Sequence, residues 1–330
     1  VKIAVVILNW NGKELLERFL PSILSFSEGA HIYVADNAST DDSVSYVMKH
    51  FSKVTIIQNK TNGGYAKGYN DALKNLQEDI FVLLNSDVEV TEDWLIPIQK
   101  AFKKDTNLVA AQPKILDYKN KQYFEYAGAA GGYIDALGYP FCRGRIFDTI
   151  EKDNGQYNDI KNIFWASGAC LFIKRTAFKK AGGFDEDFFA HQEEIDLCWR
   201  LQSNGGTIKY IGASKIYHVG GATLATANPK KTFYNFRNTL LMLLKNVRGS
   251  KVYFLLLIRM LLDGLAAIQF LFQGKFKHIG AILKAHLSFY RLFYIFLKKR
   301  KIWASNFMYY SIKSVVWSYF TQKKRRFNDL

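Results

Sequence analysis

Short apolar runs alternate with stretches of helical periodicity over the first 116 residues. The runs Ile3–Leu8, His31–Ala35, Val54–Gln58, Ile80–Leu84 and Val109–Leu116 read as buried strands. The stretches Lys13–Phe26, Asp41–Phe51, Tyr65–Leu76 and Glu92–Lys103 carry the spacing of amphipathic helices. Buried strands alternating with helices predict an α/β fold, a mainly parallel sheet with helices on both faces. In such sheets the ligand crevice lies beyond the carboxyl ends of the strands. Four strands end there in polar residues: Asn9-Trp10-Asn11, Asp36-Asn37, Asn59 and Asn85-Ser86-Asp87. Residues 120–160 are rich in glycine and aromatics and read as a mobile, partly β segment. A strand over Asn162–Arg175, broken at Ser167-Gly168, precedes a helix over Glu193–Ser203. One or two strands follow over Thr207–His218, ending at Gly220-Gly221, and from about Lys231 the pattern is helical to the end.

Charge divides the chain at the same place. Residues 1–228 hold 25 Lys and Arg against 27 Asp and Glu, whereas residues 229–330 hold 20 against two, Asp263 and Asp329. The net +16 therefore belongs to the last third, which is also rich in Leu, Phe, Tyr and Ile. One-signed charge combined with apolar content points to an anionic membrane surface. Nucleic acid is not expected as a partner, because no helix-turn-helix, zinc-finger or RNP-type pattern occurs. The most apolar stretch, Val252–Phe272, is interrupted by Arg259 and Asp263, so it does not qualify cleanly as a spanning helix. Amphipathic helices lying in the interface fit better, with Lys251, Arg259, Lys275, Lys277, Lys284, Arg291 and the run from Lys298 to Lys301 as their cationic side. Three cysteines, Cys142, Cys170 and Cys198, with no CxxC, fit a reducing compartment and buried thiols. The Val1–Asn9 run lacks a signal-peptide pattern, so a cytoplasmic location is expected, peripheral on the inner face of the cell membrane.

Several segments carry candidate chemistry. Asp36, at a strand end in Asp36-Asn37-Ala38-Ser39, can accept an N–H from a ligand base, although on this segment alone capping of the next helix by Asp36 or Ser39 is the preferred reading. The glycines of Asn62–Asn70 permit close backbone approach to a phosphorylated ligand, in neither a GxGxxG nor a Walker pattern. Asp87, just past a buried strand, can ligate Mg²⁺ or Mn²⁺ that bridges to diphosphate oxygens. Between His191 and Arg200, the adjacent Glu193 and Glu194 point in different directions, while Asp196 and Arg200 at i,i+4 read as a structural ion pair. His218 stands at a strand end before glycines.

In order and context these segments resemble the inverting family 2 glycosyltransferases of GT-A fold, nearest the rhamnosyltransferase-like branch. The matching text is Val6–Gly12, Asp36–Asp41, Asn62–Asn70, Leu84–Val88, Gly183–Glu186 and Glu193–Arg200. The resemblance spans residues 1 to about 245 and implies a nucleotide-binding half (1–116), an acceptor-binding half (117–245) and a helical membrane-associating extension (246–330). It implies that Trp10 lies near the base and that Asp36 recognises a base N–H, with Asn11 and Ser39 also among the donor-binding residues. Asn62, Gly64 and Lys67 would line the nucleotide and sugar. Asp87 is the last acid of a DxD motif whose first acid is here Asn85, and His218 touches metal or diphosphate. Glu194 matches the catalytic base, with Glu193 its rival, and Trp165, Gly168 and His191 fall on the acceptor side. The implied reaction transfers a sugar, possible donors being dTDP- or UDP-sugars including rhamnose, to a glycan or lipid-linked acceptor in bacterial surface polysaccharide synthesis. A polyprenyl-phosphate sugar transferase and a non-catalytic nucleotide-sugar-binding membrane protein are the alternatives.

Overall fold

The structure, a computed structural model, describes residues 1–220, 228–300 and 307–330; Gly221 and Lys301 lie outside the described residues. Strands β1 (Ile3–Asn9), β2 (Ala30–Asp36), β3 (Val54–Gln58), β4 (Ile80–Asn85), β5 (Val88–Val90) and β6 (Leu108–Asp117) alternate with helices α1 (Lys13–Phe26), α2 (Ser43–His50), α3 (Gly64–Leu73) and α4 (Ile96–Lys104). Then come β7 (Gly132–Ile134), β8 (Pro140–Cys142), β9 (Arg145–Ile146), β10 (Thr149–Ile150), β11 (Ile160–Asn162) and β12 (Cys170–Lys174). Helices α5 (Arg175–Ala181) and α6 (Glu193–Ser203), β13 (Thr207–His218), α7 (Pro229–Asn246), α8 (Lys251–Phe272), α9 (Phe276–Lys299) and α10 (Val315–Phe320) follow, with 3-10 turns over Glu186–Phe188 and Phe327–Asp329.

The main sheet runs β11-β13-β6-β12-β4-β1-β2-β3, with β5 also paired to β13. Strands β1 to β4 are mutually parallel where they pair, as are β6 and β13, while β12 enters antiparallel between β4 and β6. This is a mixed, mainly parallel α/β sheet. The near-continuous burial of β1 and β4 follows from helices covering both faces. Register fixes the ligand rim: Asn9 lies opposite Asp36, Leu8 opposite Asn85, and His218 opposite Val88.

Three expectations are corrected. The glycine- and aromatic-rich segment builds a small ordered antiparallel sheet, β10-β9-β8-β7, because Phe141 and Ile146 find a covering partner. That partner is the C-terminal tail: residues 307–330 are mostly irregular rather than helical, with the short α10 and one 3-10 turn over Phe327–Asp329. Tyr319 and Val315 pack on Phe141 and Ile146, and the Val315 N–H donates to Asp135. Third, Arg259 and Asp263 of α8 face inward. Arg259 stacks 3.6 Å over the Tyr139 ring, and Asp263 pairs with Arg259 and with His286 of α9. The outer face of α8 is therefore apolar, with Phe254, Leu257, Leu261, Leu265 and Ile268 exposed at helical spacing. By length and composition alone α8 could cross a membrane. Helices α7 and α9 pack together, and Phe289 and Phe296 of α9 join the core cluster that holds β1, β4 and α6 residues.

Candidate active site

Asparagines hold the rim. Asn9 Nδ2 donates to Asp36 Oδ1 (3.1 Å) and Ser43 Oγ (2.9 Å), and the Ser39 N–H donates to Asp36 Oδ2 (3.1 Å). Asn11, at a positive φ of 50°, accepts the Thr40 N–H at 2.7 Å, while its own N–H donates to Ser39 Oγ. Asn11 and Ser39 thus tie the loop after β1 to the loop after β2. Asp36 is buried, and Trp10 stands at the rim 49% exposed. Asn37 Nδ2 donates to Asn62 Oδ1 at 2.9 Å, which draws the Asn62–Gly64 loop onto the same rim.

That loop meets the segment before α6. Gly64 adopts φ +76°, and a Cβ there would lie 2.4 Å from the Phe189 carbonyl oxygen, which accepts the Tyr65 N–H. Gly64 is therefore required for close packing of two protein segments. Tyr65 crosses to donate to the Gly168 carbonyl at 2.8 Å, over a glycine with no Cβ to block it. Lys67 is committed to Asp71 and Glu186. Trp165 belongs to the core instead of the acceptor side: it is buried, and its indole N–H donates to the Tyr133 carbonyl at 2.9 Å. Its aromatic bulk faces Gly132, where no side chain competes for the space.

The turn into α6 is strained, with Phe189, His191 and Gln192 all at positive φ. Helix α7 braces it. Asn238 Nδ2 lies within donating distance of the Phe188, Ala190 and His191 carbonyls, and Arg237 donates to those of Asp187 and Phe188. The turn delivers Glu193 and Glu194 with an Oε2 of each unpartnered. Glu193 is buried, and both burial and neighbouring Glu194 push its carboxyl well above the usual carboxylate range. Glu194 is half-buried, and burial raises its carboxyl to about 7. His191 is held neutral by burial and by Lys231, down to about 4.

Behind α6, Asp196 accepts from Arg200 Nε (2.8 Å), Lys245 Nζ (2.9 Å) and Asn246 Nδ2 (2.8 Å). Burial alone would raise its carboxyl; Arg200 and Lys245 instead hold it near 2. The ion pair expected from the i,i+4 spacing is present and extends to α7.

At the metal position, Asp87 Oδ1 lies 3.1 Å from His218 Nε2, and Glu125 lies 3.3 Å from the other ring nitrogen. Burial would lower the imidazole, but Glu125 and Asp87 outweigh it and raise it to about 10. Among the described residues no group of three or more His, Cys, Asp or Glu side chains is arranged to hold a metal ion. A carboxylate and an imidazole at one strand end, with Glu125 orienting the ring from behind, fit a divalent cation only if diphosphate oxygens complete its shell. Sequence reasoning missed the role of Tyr65 within the Asn62–Asn70 segment, and missed Glu125, Lys231, Arg237, Asn238 and Lys245, which carry no local motif and reach the site only through packing.

The strand-end polar groups of the rim are joined to the segment before α6 through the Asn62–Gly64 loop and Phe189. Residues 4–182, more than half of the chain, match Glycosyl transferase family 2, and the chain belongs to that family; it is a glycosyltransferase. It is 26% identical over 229 residues to the N-acetylglucosaminyl-diphospho-decaprenol L-rhamnosyltransferase of Mycobacterium tuberculosis, covering 65% of this chain and 75% of that one. Its fold is similar to the mannosyltransferase PcManGT from Pyrobaculum calidifontis in complex with GDP-Man and Mn²⁺ (TM-score 0.55, 14% identity, 87% of this chain and 86% of that one). It is also similar to GalNAc-T7 with UDP, GalNAc and Mn²⁺ (TM-score 0.54, 18% identity, 66% of this chain), spanning 43% of that chain.

Proposed function

We propose that the protein transfers a sugar, with inversion, from a dTDP- or UDP-sugar to a hydroxyl of a lipid-linked glycan in bacterial surface polysaccharide synthesis, with rhamnose as the first sugar to test. The observation that carries this reading is Glu194: a half-buried carboxyl with an unpartnered oxygen, poised near neutrality on a braced turn. Its carboxylate takes the proton of the acceptor hydroxyl as that oxygen bonds to the anomeric carbon. The bond from the anomeric carbon to the phosphate oxygen breaks on the opposite face, and the nucleoside diphosphate leaves with the electron pair. Trp10 offers a ring for the base to stack on, and Asp36 an acceptor for a base N–H. Asp87 would hold Mg²⁺ or Mn²⁺, joined by His218 once its Nε2 gives up the proton that Asp87 and Glu125 stabilise; the bound ion would supply Lewis-acid neutralisation of diphosphate charge. The rhamnosyltransferase relative, whose name specifies a diphospho-decaprenol acceptor, supports the lipid-linked assignment.

Asp87→Ala should weaken Mn²⁺-dependent UDP or dTDP binding by at least about tenfold, the scale of disturbing a metal shell. Calorimetric titration checks this; Mn²⁺-dependent affinity equal to wild type removes Asp87 from the ligands.

The reading places the enzyme on the cytoplasmic face of the cell membrane, with the outer face of α8 in the interface and Lys251 and Lys275 near its ends at the anionic headgroups. Leu261 and Leu265 are both more than 60% exposed, so replacing them leaves the fold alone. The double variant Leu261→Glu with Leu265→Glu should bind anionic liposomes at least about tenfold more weakly, since each buried Leu contributes ~1.5 kcal/mol or more. Undiminished co-sedimentation overturns the membrane seat.

A further inference from the structure

Between the first turns of α7 and α9 lies a groove of about 580 Å³, lined by Lys230, Phe233, Lys277, Gly280 and Lys284 among others. All three lysines are exposed. The two acids of the last third are used elsewhere: Asp263 by Arg259 and His286, and Asp329 by the Arg326 N–H. None of the three lysines has an ion-pair partner among the described residues. The groove is rigid, because Thr232 Oγ1 and His278 Nδ1 lie 2.7 Å apart and lock the two helix starts together. Its floor is open, since a Cβ at Gly280 would meet nothing within 4 Å.

Its two ends lead to different places. At one end the Lys230 ammonium sits 5.7 Å over the Phe189 ring, and Phe189 belongs to the braced turn that delivers Glu194. The neighbouring Lys231 faces the site side, where it holds His191 neutral. At the other end Leu283 and Leu287 of α9 continue as an exposed apolar face. Concentrated positive charge between a catalytic turn and an apolar surface suits a ligand with an anionic head and a hydrocarbon tail. The backbone N–H groups at the helix starts add to that preference.

We infer that this groove binds the diphosphate of a polyprenyl-linked acceptor and presents its sugar to Glu194. The inference rests on the proposed transfer to a lipid-linked acceptor and names the site that recognises it. Lys277 and Lys284 hold phosphate oxygens, Lys230 bridges toward the turn, and the prenyl chain leaves over Leu283 and Leu287. Bilayer phospholipid headgroups offer the same anionic chemistry, and the test separates the two.

The test uses the full chain, with farnesyl diphosphate and farnesol as probes in calorimetry, UDP with Mn²⁺ as a check on the donor site, and phosphatidylglycerol vesicles. Wild type should prefer farnesyl diphosphate to farnesol by at least about tenfold, the scale of two charge-assisted hydrogen bonds. Lys277→Gln with Lys284→Gln should lose most of that preference. Gly280→Leu, a favourable helix residue that fills the groove without altering charge, should lose farnesyl diphosphate binding while keeping vesicle binding and UDP binding. Wild-type affinity for farnesyl diphosphate in Gly280→Leu overturns the groove. So does a parallel loss of vesicle binding in that variant, which would assign the lysines to the bilayer. Failure of wild type to bind UDP while the groove variants still differ on farnesyl diphosphate overturns the donor reading and leaves the groove standing.

Discussion

Replacing Glu194 with Gln should lower the transfer rate by about 10²–10⁴-fold, the range of a lost general base, while nucleotide-sugar binding stays within about twofold. Gln keeps the shape and removes only the ability to take a proton. The adjacent Glu193 provides the internal control. It is buried, and burial and Glu194 both raise its carboxyl, which weakens it as a carboxylate base, so Glu193→Gln should retain most of the rate. If Glu193→Gln is dead and Glu194→Gln active, the assignment is reversed. The wild-type rate should rise with pH as Glu194 ionises and level off above about 7. Stability runs the opposite way. A carboxyl raised on folding stabilises below its unfolded value, and that contribution is lost as pH rises through about 7. Glu194→Gln should therefore melt above wild type at pH 8, by about 1–2 kcal/mol or a few degrees, and show no such gain at pH 5. Thermal melts at the two values check this.

The largest structural effect is expected from Asp196→Ala, a loss of about 3–5 kcal/mol and roughly 10 °C in melting temperature. The carboxylate is fully buried and serves Arg200, Lys245 and Asn246 together. Without it two buried cations lose their counter-charge, and Lys245 keeps only Asp185. The contribution of Asp196 is present above about pH 4 and is lost as pH falls toward 2, because its folded carboxyl is held near 2. Calorimetric unfolding across pH measures it; a melting temperature within a degree or two of wild type contradicts the network.

The fold was legible where periodicity is strong. The early strand and helix alternation, the polar strand ends and the helix over Glu193–Ser203 all follow from spacing. The Asp196–Arg200 pair was visible because i,i+4 neighbours meet on any helix. What sequence could not show depends on distant packing. Arg259 reads as an interfacial cation until Tyr139 and Asp263 are seen to receive it. The tail from residue 307 reads as helical because its aromatics suit a helix face, yet they cover Phe141 and Ile146 of a sheet formed far upstream. Trp165 sits near a broken strand, and only the bare backbone of Gly132 explains why its ring turns inward. The bracing of the turn before Glu193 and Glu194 by Asn238 and Arg237 comes from residues almost fifty positions away, with no motif to announce them.

The most direct test incubates the purified full chain with Mn²⁺, dTDP-rhamnose or a UDP-sugar, and a polyprenyl-diphosphate-linked N-acetylglucosamine acceptor. It follows nucleoside diphosphate release together with the anomeric configuration of the product. Acceptor-dependent release, one sugar incorporated per nucleotide freed and inversion at the anomeric carbon are the predicted results. Retention of configuration, or nucleotide release with no sugar on the acceptor, would contradict the account.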